Sequence, residues 1–304
     1  MTTGERDWSA YWASRGGTGE AFAGEGVEQH PSLSAYWDAV FDGPPGPVLD
    51  VACGAGSVLR RAHAAGWPDL TGADVSAEAL ALLADAVPGV RTIRCAGDAI
   101  PLPDARYVVV TSQFGFEYAG PGAPGELARL TAPGGRIAAL VHYAGGMIER
   151  EVTGNAERAK AVADTGFTEA ARTLIEAEFA RDADRIAGAR RAFAGPEAAL
   201  AAIARGAPEG LAAHLHGGFR QLYGRRAAYA LGDITGWLDG MAAELGAYEG
   251  RMATMRAAAK TEGAMTAVLE TLRAGGLTEV RAEPFTLDGD PAPLAWSLTA
   301  RRPA

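Results

Sequence analysis

The sequence predicts an α/β fold, an open sheet of mainly parallel strands that carries one long helical insertion. Two observations carry that expectation. Between residues 47 and 143, short apolar runs bounded by Gly and Pro alternate with helical stretches, the pattern of βαβ units with buried strands. From Gly145 to about Glu262 no strand run appears, and apolar residues recur at helical spacing in an Ala-, Glu- and Arg-rich background.

The elements follow in order. Ser32 is placed to cap a helix running to Asp42, which Gly43-Pro44-Pro45-Gly46-Pro47 stops. Strands are expected at Pro47 to Ala52, Leu70 to Val75, Val90 to Cys95, Tyr107 to Ser112 and Arg136 to Tyr143. Helices between them cover Ser57 to Ala65, Ser76 to Ala86 and Glu126 to Thr131. In the insertion, Ile175, Phe179 and Ile186 share a face, and Trp237, Met241, Leu245, Tyr248, Met252 and Met255 form a longer stripe. Such a stripe is core packing before it is a ligand wall. A helix at Gly263 to Ala274 and strands at Leu277 to Pro284 and Leu294 to Ala300 close the chain. The expected organisation is an aromatic N-terminal cap (1–44), a sheet core (45–145 and 263–304) and a helical insertion (146–262) that serves as a substrate lid.

Composition narrows the function. The 304 residues carry a net charge of −9 without a Lys/Arg cluster beyond Arg-Arg pairs, which argues against nucleic acid. Two cysteines, Cys53 and Cys95, exclude a disulfide framework and a cysteine-built zinc site. His214 and His216 would share a side only on a strand, in a stretch that reads as helix or turn, so no metal is expected. No apolar run reaches membrane-span length and the N-terminus has no signal-like apolar region. The expectation is a reduced, cytoplasmic protein with no membrane partner.

Chemistry concentrates at the strand ends. Asp50-Val51-Ala52-Cys53-Gly54-Ala55-Gly56-Ser57 is a buried strand turning through glycines into a helix. There the backbone can approach a ligand, and the helix N-terminus offers unpaired N–H groups. Leu59 stands where a dinucleotide fingerprint has its third glycine. Asp50 can receive a ligand ammonium. Asp74, followed by Val75, ends the next strand and suits the two hydroxyls of a ribose, or else caps the following helix. Asp98 and Ala99 follow the third strand, and Ser112-Gln113-Phe114 ends the fourth. Leu130-Thr131-Ala132-Pro133-Gly134-Gly135 interrupts a helix before the fifth strand.

This ordered set resembles the class I S-adenosylmethionine-dependent methyltransferases. Asp50, Gly54 and Gly56 match the family's glycine-rich motif, with Ala52 in place of its first glycine. The resemblance implies a Rossmann-like seven-stranded sheet with the last strand antiparallel, and S-adenosyl-L-methionine as cofactor. It assigns the ribose to Asp74, the adenine to Asp98 and Ala99, and the methionine part to Asp50, Gly54, Gln113 and Phe114, with Ala52, Gly56 and Val75 also among the cofactor-binding residues.

Glu117 and His142 face the same crevice and are the candidate bases for a small-molecule acceptor of O, N or C type. Tyr11, Trp12, Tyr118 and Tyr143 are candidate acceptor-lining residues, each with packing as the plain alternative. Two other functions remain open to the sequence: an NAD(P)-dependent oxidoreductase, and a protein that binds S-adenosylmethionine without transferring methyl.

Overall fold

The computed structural model describes Trp12 and residues 30–304 except Glu209. The chain divides into two compact units, residues 1–151 with 254–304, and residues 152–253.

The first unit holds one seven-stranded sheet in the order β3-β2-β1-β4-β5-β7-β6. Its strands are β1 (Val48–Val51), β2 (Leu70–Asp74), β3 (Arg91–Arg94), β4 (Tyr107–Gln113), β5 (Thr131–His142), β6 (Thr278–Thr286) and β7 (Pro293–Arg301). β1 pairs in parallel with β2 and β4, and β4 with β5, whereas β7 runs antiparallel to both β5 and β6. This is the Rossmann-like sheet with its last strand reversed. The order reverses direction between β1 and β4, and the crevice at a switch point beyond the carboxyl ends is where open α/β sheets take ligands.

Helices α1 (Pro31–Phe41), α2 (Ser57–Ala64), α3 (Ala77–Ala86), α4 (Ala123–Leu130) and α10 (Glu262–Ala274) complete this unit. Its core is apolar on one side of the sheet, from Leu49 and Val110 through Leu127 and Leu130 to Leu272 and Leu298. Two local expectations are corrected. The cap of α1 is His30, whose Nδ1 accepts from the Ser32 N–H at 3.2 Å, with Pro31 opening the helix. Pro at the first helical position costs no hydrogen bond, so the helix starts earlier than Ser32. β5 also starts earlier, at Thr131, because a bulge lets Thr131 pair with Tyr107 before Arg136 pairs with Val109. Gly134 takes a left-handed φ of 72° in that bulge, and a Cβ on Gly135 would stand 2.8 Å from the Ala132 carbonyl oxygen. The Pro-Gly-Gly element is therefore a strand kink.

The chain leaves the sheet unit within α5 (Met147–Asp164) and returns within α9 (Leu231–Ala258). Between them lie α6 (Phe167–Ala180), α7 (Ala183–Gly206) and α8 (Leu211–Gly224). The helical unit has its own apolar core, in which Phe167, Phe193 and Phe219 meet with ring centroids 5.2–5.5 Å apart. Trp237, Met241, Leu245 and Tyr248 of the sequence stripe belong to it. Among the described residues, no helix is long and apolar enough to cross a membrane, and no three His, Cys, Asp or Glu side chains cluster to hold a metal.

Candidate active site

The carboxyl ends of β1, β2 and β4 bring the sequence-predicted residues together. Asp50, 1% exposed on β1, accepts the Thr111 hydroxyl of neighbouring β4 at 2.9 Å. Burial pushes its pKa up to about 7; the Thr111 bond opposes this and the charge of Asp74 adds to it. Asp74 ends β2 with each carboxylate oxygen held at 2.9 Å by a backbone N–H, Oδ2 by Gly54 and Oδ1 by Ser76. Burial raises its pKa too, against those amides and that of Val75. Among the described residues neither carboxylate has a cationic partner at ion-pair distance. Two enclosed carboxylates that disfavour each other's charge suit a cationic ligand.

Backbone geometry explains the glycine turn. Gly54 and Gly56 have φ of 52° and 81°, and a Cβ on Gly56 would stand 2.3 Å from Leu83. Gly56 opens α2 without a side-chain cap, which leaves first-turn N–H groups for a ligand. Ala52 occupies the same left-handed region at φ 53°, as does Phe114 beyond β4. Such positions cost a non-glycine residue roughly 1–2 kcal/mol each and collect at functional sites. Their loops touch: a Cβ on Gly115 would lie 2.7 Å from the Ala52 methyl.

Other expected residues fall into two groups. Asp98 and Ala99 are exposed in the turn after β3, with Asp98 packed so closely under Gly120 that a Cβ there would stand 2.4 Å from its carboxylate. Val75 follows Asp74, its carbonyl held by the Arg94 guanidinium at 3.1 Å. Gln113 is engaged inside the protein: its Oε1 accepts from the Trp37 indole and its Nε2 donates to Ser57 at 3.4 Å. It ties α1 and α2 to the end of β4. Trp12 is buried with Ala55 and Ala79, and its ring occupies the space that a Cβ on Gly54 would need. Tyr11 lies outside the described residues.

The two candidate bases differ sharply. His142 is 2% exposed, with Nδ1 against the Tyr118 hydroxyl at 3.0 Å. Burial drives its pKa down to about 3, so it stays neutral. Glu117 sits in the turn Phe116–Tyr118, where Oε1 accepts the His142 backbone N–H at 2.9 Å and Oε2 has no hydrogen-bond partner. Burial raises its pKa to about 7, opposed by that N–H and by Lys260. Tyr118 is thus spent on His142, and Tyr143 stacks on Trp296 at 4.4 Å.

The methyltransferase domain family matches residues 48–135, the stretch from β1 into β5. This stretch is a methyltransferase domain. No curated protein matches the chain. Among solved structures, the YcgJ protein of Bacillus subtilis is similar at 22% identity over 37% of this chain and 51% of its own, with a TM-score of 0.34. An S-adenosylmethionine-dependent methyltransferase of Mesorhizobium loti is 22% identical over 38% and 55%, at 0.35. Geranyl diphosphate C-methyltransferase of Streptomyces coelicolor is 16% identical over 46% and 65%, at 0.36. The chain spans about half to two-thirds of the length of each.

Two further residues complete the site, and the first of them escaped the sequence reading. Lys260, reached after the whole helical insertion, pairs its backbone with the end of β5, donating to the His142 carbonyl at 2.8 Å and accepting from Ala144 at 3.1 Å. Ser112 accepts the Phe116 N–H at 3.0 Å and donates to the Val51 carbonyl, fixing the turn that carries Glu117. The available signal for Lys260 was compositional: the chain has only two lysines, Lys160 and Lys260, against 26 arginines.

Proposed function

We propose that the protein transfers a methyl group from S-adenosylmethionine to a small-molecule acceptor, with Glu117 as the base. The observation that carries the reading is the pair Asp50 and Asp74 flanking the glycine turn, enclosed and without a described cationic partner. The bound donor supplies a carbon activated by a sulfonium, to which the acceptor's lone pair bonds as the carbon–sulfur pair returns to sulfur. Asp50 holds the donor's ammonium, Asp74 its ribose hydroxyls, and Asp98 with Ala99 borders its adenine. The protein's own work is alignment, exclusion of water and removal of a proton. The proton of an ionisable acceptor passes to Glu117 Oε2, whose pKa near neutrality suits that role.

The test is a thermal-shift comparison followed by turnover. S-adenosylmethionine or S-adenosylhomocysteine should raise the melting temperature and NAD or NADP should not. Labelled methyl donor with a metabolite extract should then yield a labelled small molecule. A shift with NAD alone would overturn the reading in favour of an oxidoreductase. Donor binding without any label transfer would leave a binding protein.

A further inference from the structure

A cavity of about 140 Å³ lies in the sheet unit, lined by Glu117 and by Lys260, with Phe116, Pro124 and Val268 among its apolar walls. It stands at the carboxyl edge of the sheet, since Glu117 follows β4 by four residues and Lys260 pairs beside Tyr143, just past β5. The Lys260 backbone is fixed three times over: by the two bonds to the end of β5 and by the Trp296 indole, which donates to its carbonyl at 2.7 Å. Its ammonium is nevertheless uncommitted, because among the described residues no carboxylate lies at ion-pair distance and no acceptor takes its hydrogens. Glu117 Oε2 is enclosed and likewise without a partner. The ammonium of a half-buried lysine and an enclosed carboxyl group, on residues that line one cavity but are not bonded to each other, each lack a partner that a ligand can supply.

We infer that this cavity is the acceptor subsite and that it selects an anionic acceptor, a small carboxylate whose charge sits on Lys260 while its ionisable proton faces Glu117. The inference rests on the methyltransferase reading for the word acceptor, but not for the ligand chemistry. The apolar walls suit a small ring or short chain between the two polar ends. Lysine rather than arginine fits such a place, because a compact ammonium reaches into a small cavity where a planar guanidinium would fill it.

The probes are 4-hydroxybenzoate, benzoate and their uncharged amides, titrated into the intact protein without donor. With ¹⁵N-lysine labelling, the protein shows two backbone lysine signals. The Lys260 signal should move with the carboxylates and the Lys160 signal should not. Lys260→Met should weaken carboxylate binding tenfold or more, and Lys260→Arg should restore part of it. S-adenosylhomocysteine affinity, measured on the same variants, should stay within about twofold. Amides that bind as tightly as carboxylates, carboxylates that do not bind, or an unmoved Lys260 signal would each overturn the subsite. Lysine-dependent carboxylate binding without any binding of S-adenosylhomocysteine would keep the anion subsite and remove the methyltransferase reading instead.

Discussion

The two compact units treat their enclosed acids in opposite ways. In the helical unit, Glu178 is an acid with an almost covered side chain, and it is fully answered: Arg190 reaches it at 2.7 Å, Arg226 at 3.2 Å, and the Tyr223 hydroxyl donates to it as well. Burial alone would raise its pKa, yet those donors and charges bring it below the usual value. In the sheet unit, Asp50, Asp74 and Glu117 are enclosed without such answers, and burial leaves all three raised. An acid that the fold satisfies is part of the scaffold. Acids that the fold leaves expensive are held for something else. The buried polar residues tell the same story, since among the described residues Asp50, Thr71, Ser76, Thr111, Ser112, Thr131 and His142 all belong to the sheet unit.

That contrast can be broken at four places. The largest effect is expected at Asp50. Its folded pKa, about 7, lies above its unfolded value near 3.8, so the folded state holds the proton more tightly between them. The stability from that proton is complete below the unfolded value and is lost as pH rises through the folded one, on the order of 4 kcal/mol in all. Asp50→Asn should therefore raise the melting temperature at pH 8 and flatten its decline between pH 4 and 8. An unchanged decline would show that Asp50 is already satisfied.

Next comes Glu117→Gln, which should slow methyl transfer by roughly a hundredfold or more, about 3 kcal/mol. The wild-type rate should rise with pH through about 7, as the carboxyl group loses its proton, and the variant should lose that rise. A profile that keeps its inflection in the variant would move the base elsewhere.

Glu178→Gln addresses the helical side. With Arg190 and Arg226 partly exposed, its loss should cost about 1–2 kcal/mol in denaturant unfolding. Donor affinity should be unaltered. The smallest effect is Ala52→Gly, which relieves a left-handed alanine and should stabilise by about 0.5–1 kcal/mol. A loss of stability would mean that the Ala52 methyl packed against Gly115 outweighs the strain.

Legibility followed the same division. Asp50, Gly54, Gly56 and Asp74 were readable because each is set by a strand end and turn within a few residues, where glycine and acid types have local reasons to occur. The sheet itself was readable from Val- and Ile-rich runs between breakers. The start of β5 was not, because a bulge at Gly134 and Gly135 turns an apparent helix stop into strand. Gln113 was placed correctly at the end of β4, but its amide is taken by Trp37 and Ser57, contacts made across tens of residues. His142 was assigned to the crevice by strand direction alone, which does not report burial. Lys260 lay beyond reach, brought beside Glu117 only after the chain has built and left the helical unit.

The central claim is that the enclosed acids of the sheet unit await a cationic nucleoside. Calorimetric titration of the intact protein and of Asp74→Ala with S-adenosylmethionine tests it most directly. Two charge-assisted hydroxyl contacts are at stake, so the account predicts one site per chain and a loss of tenfold or more in the variant, at least about 1.4 kcal/mol, in a chain that still unfolds cooperatively. Equal affinity in wild type and variant, or no binding to the wild type, would contradict it.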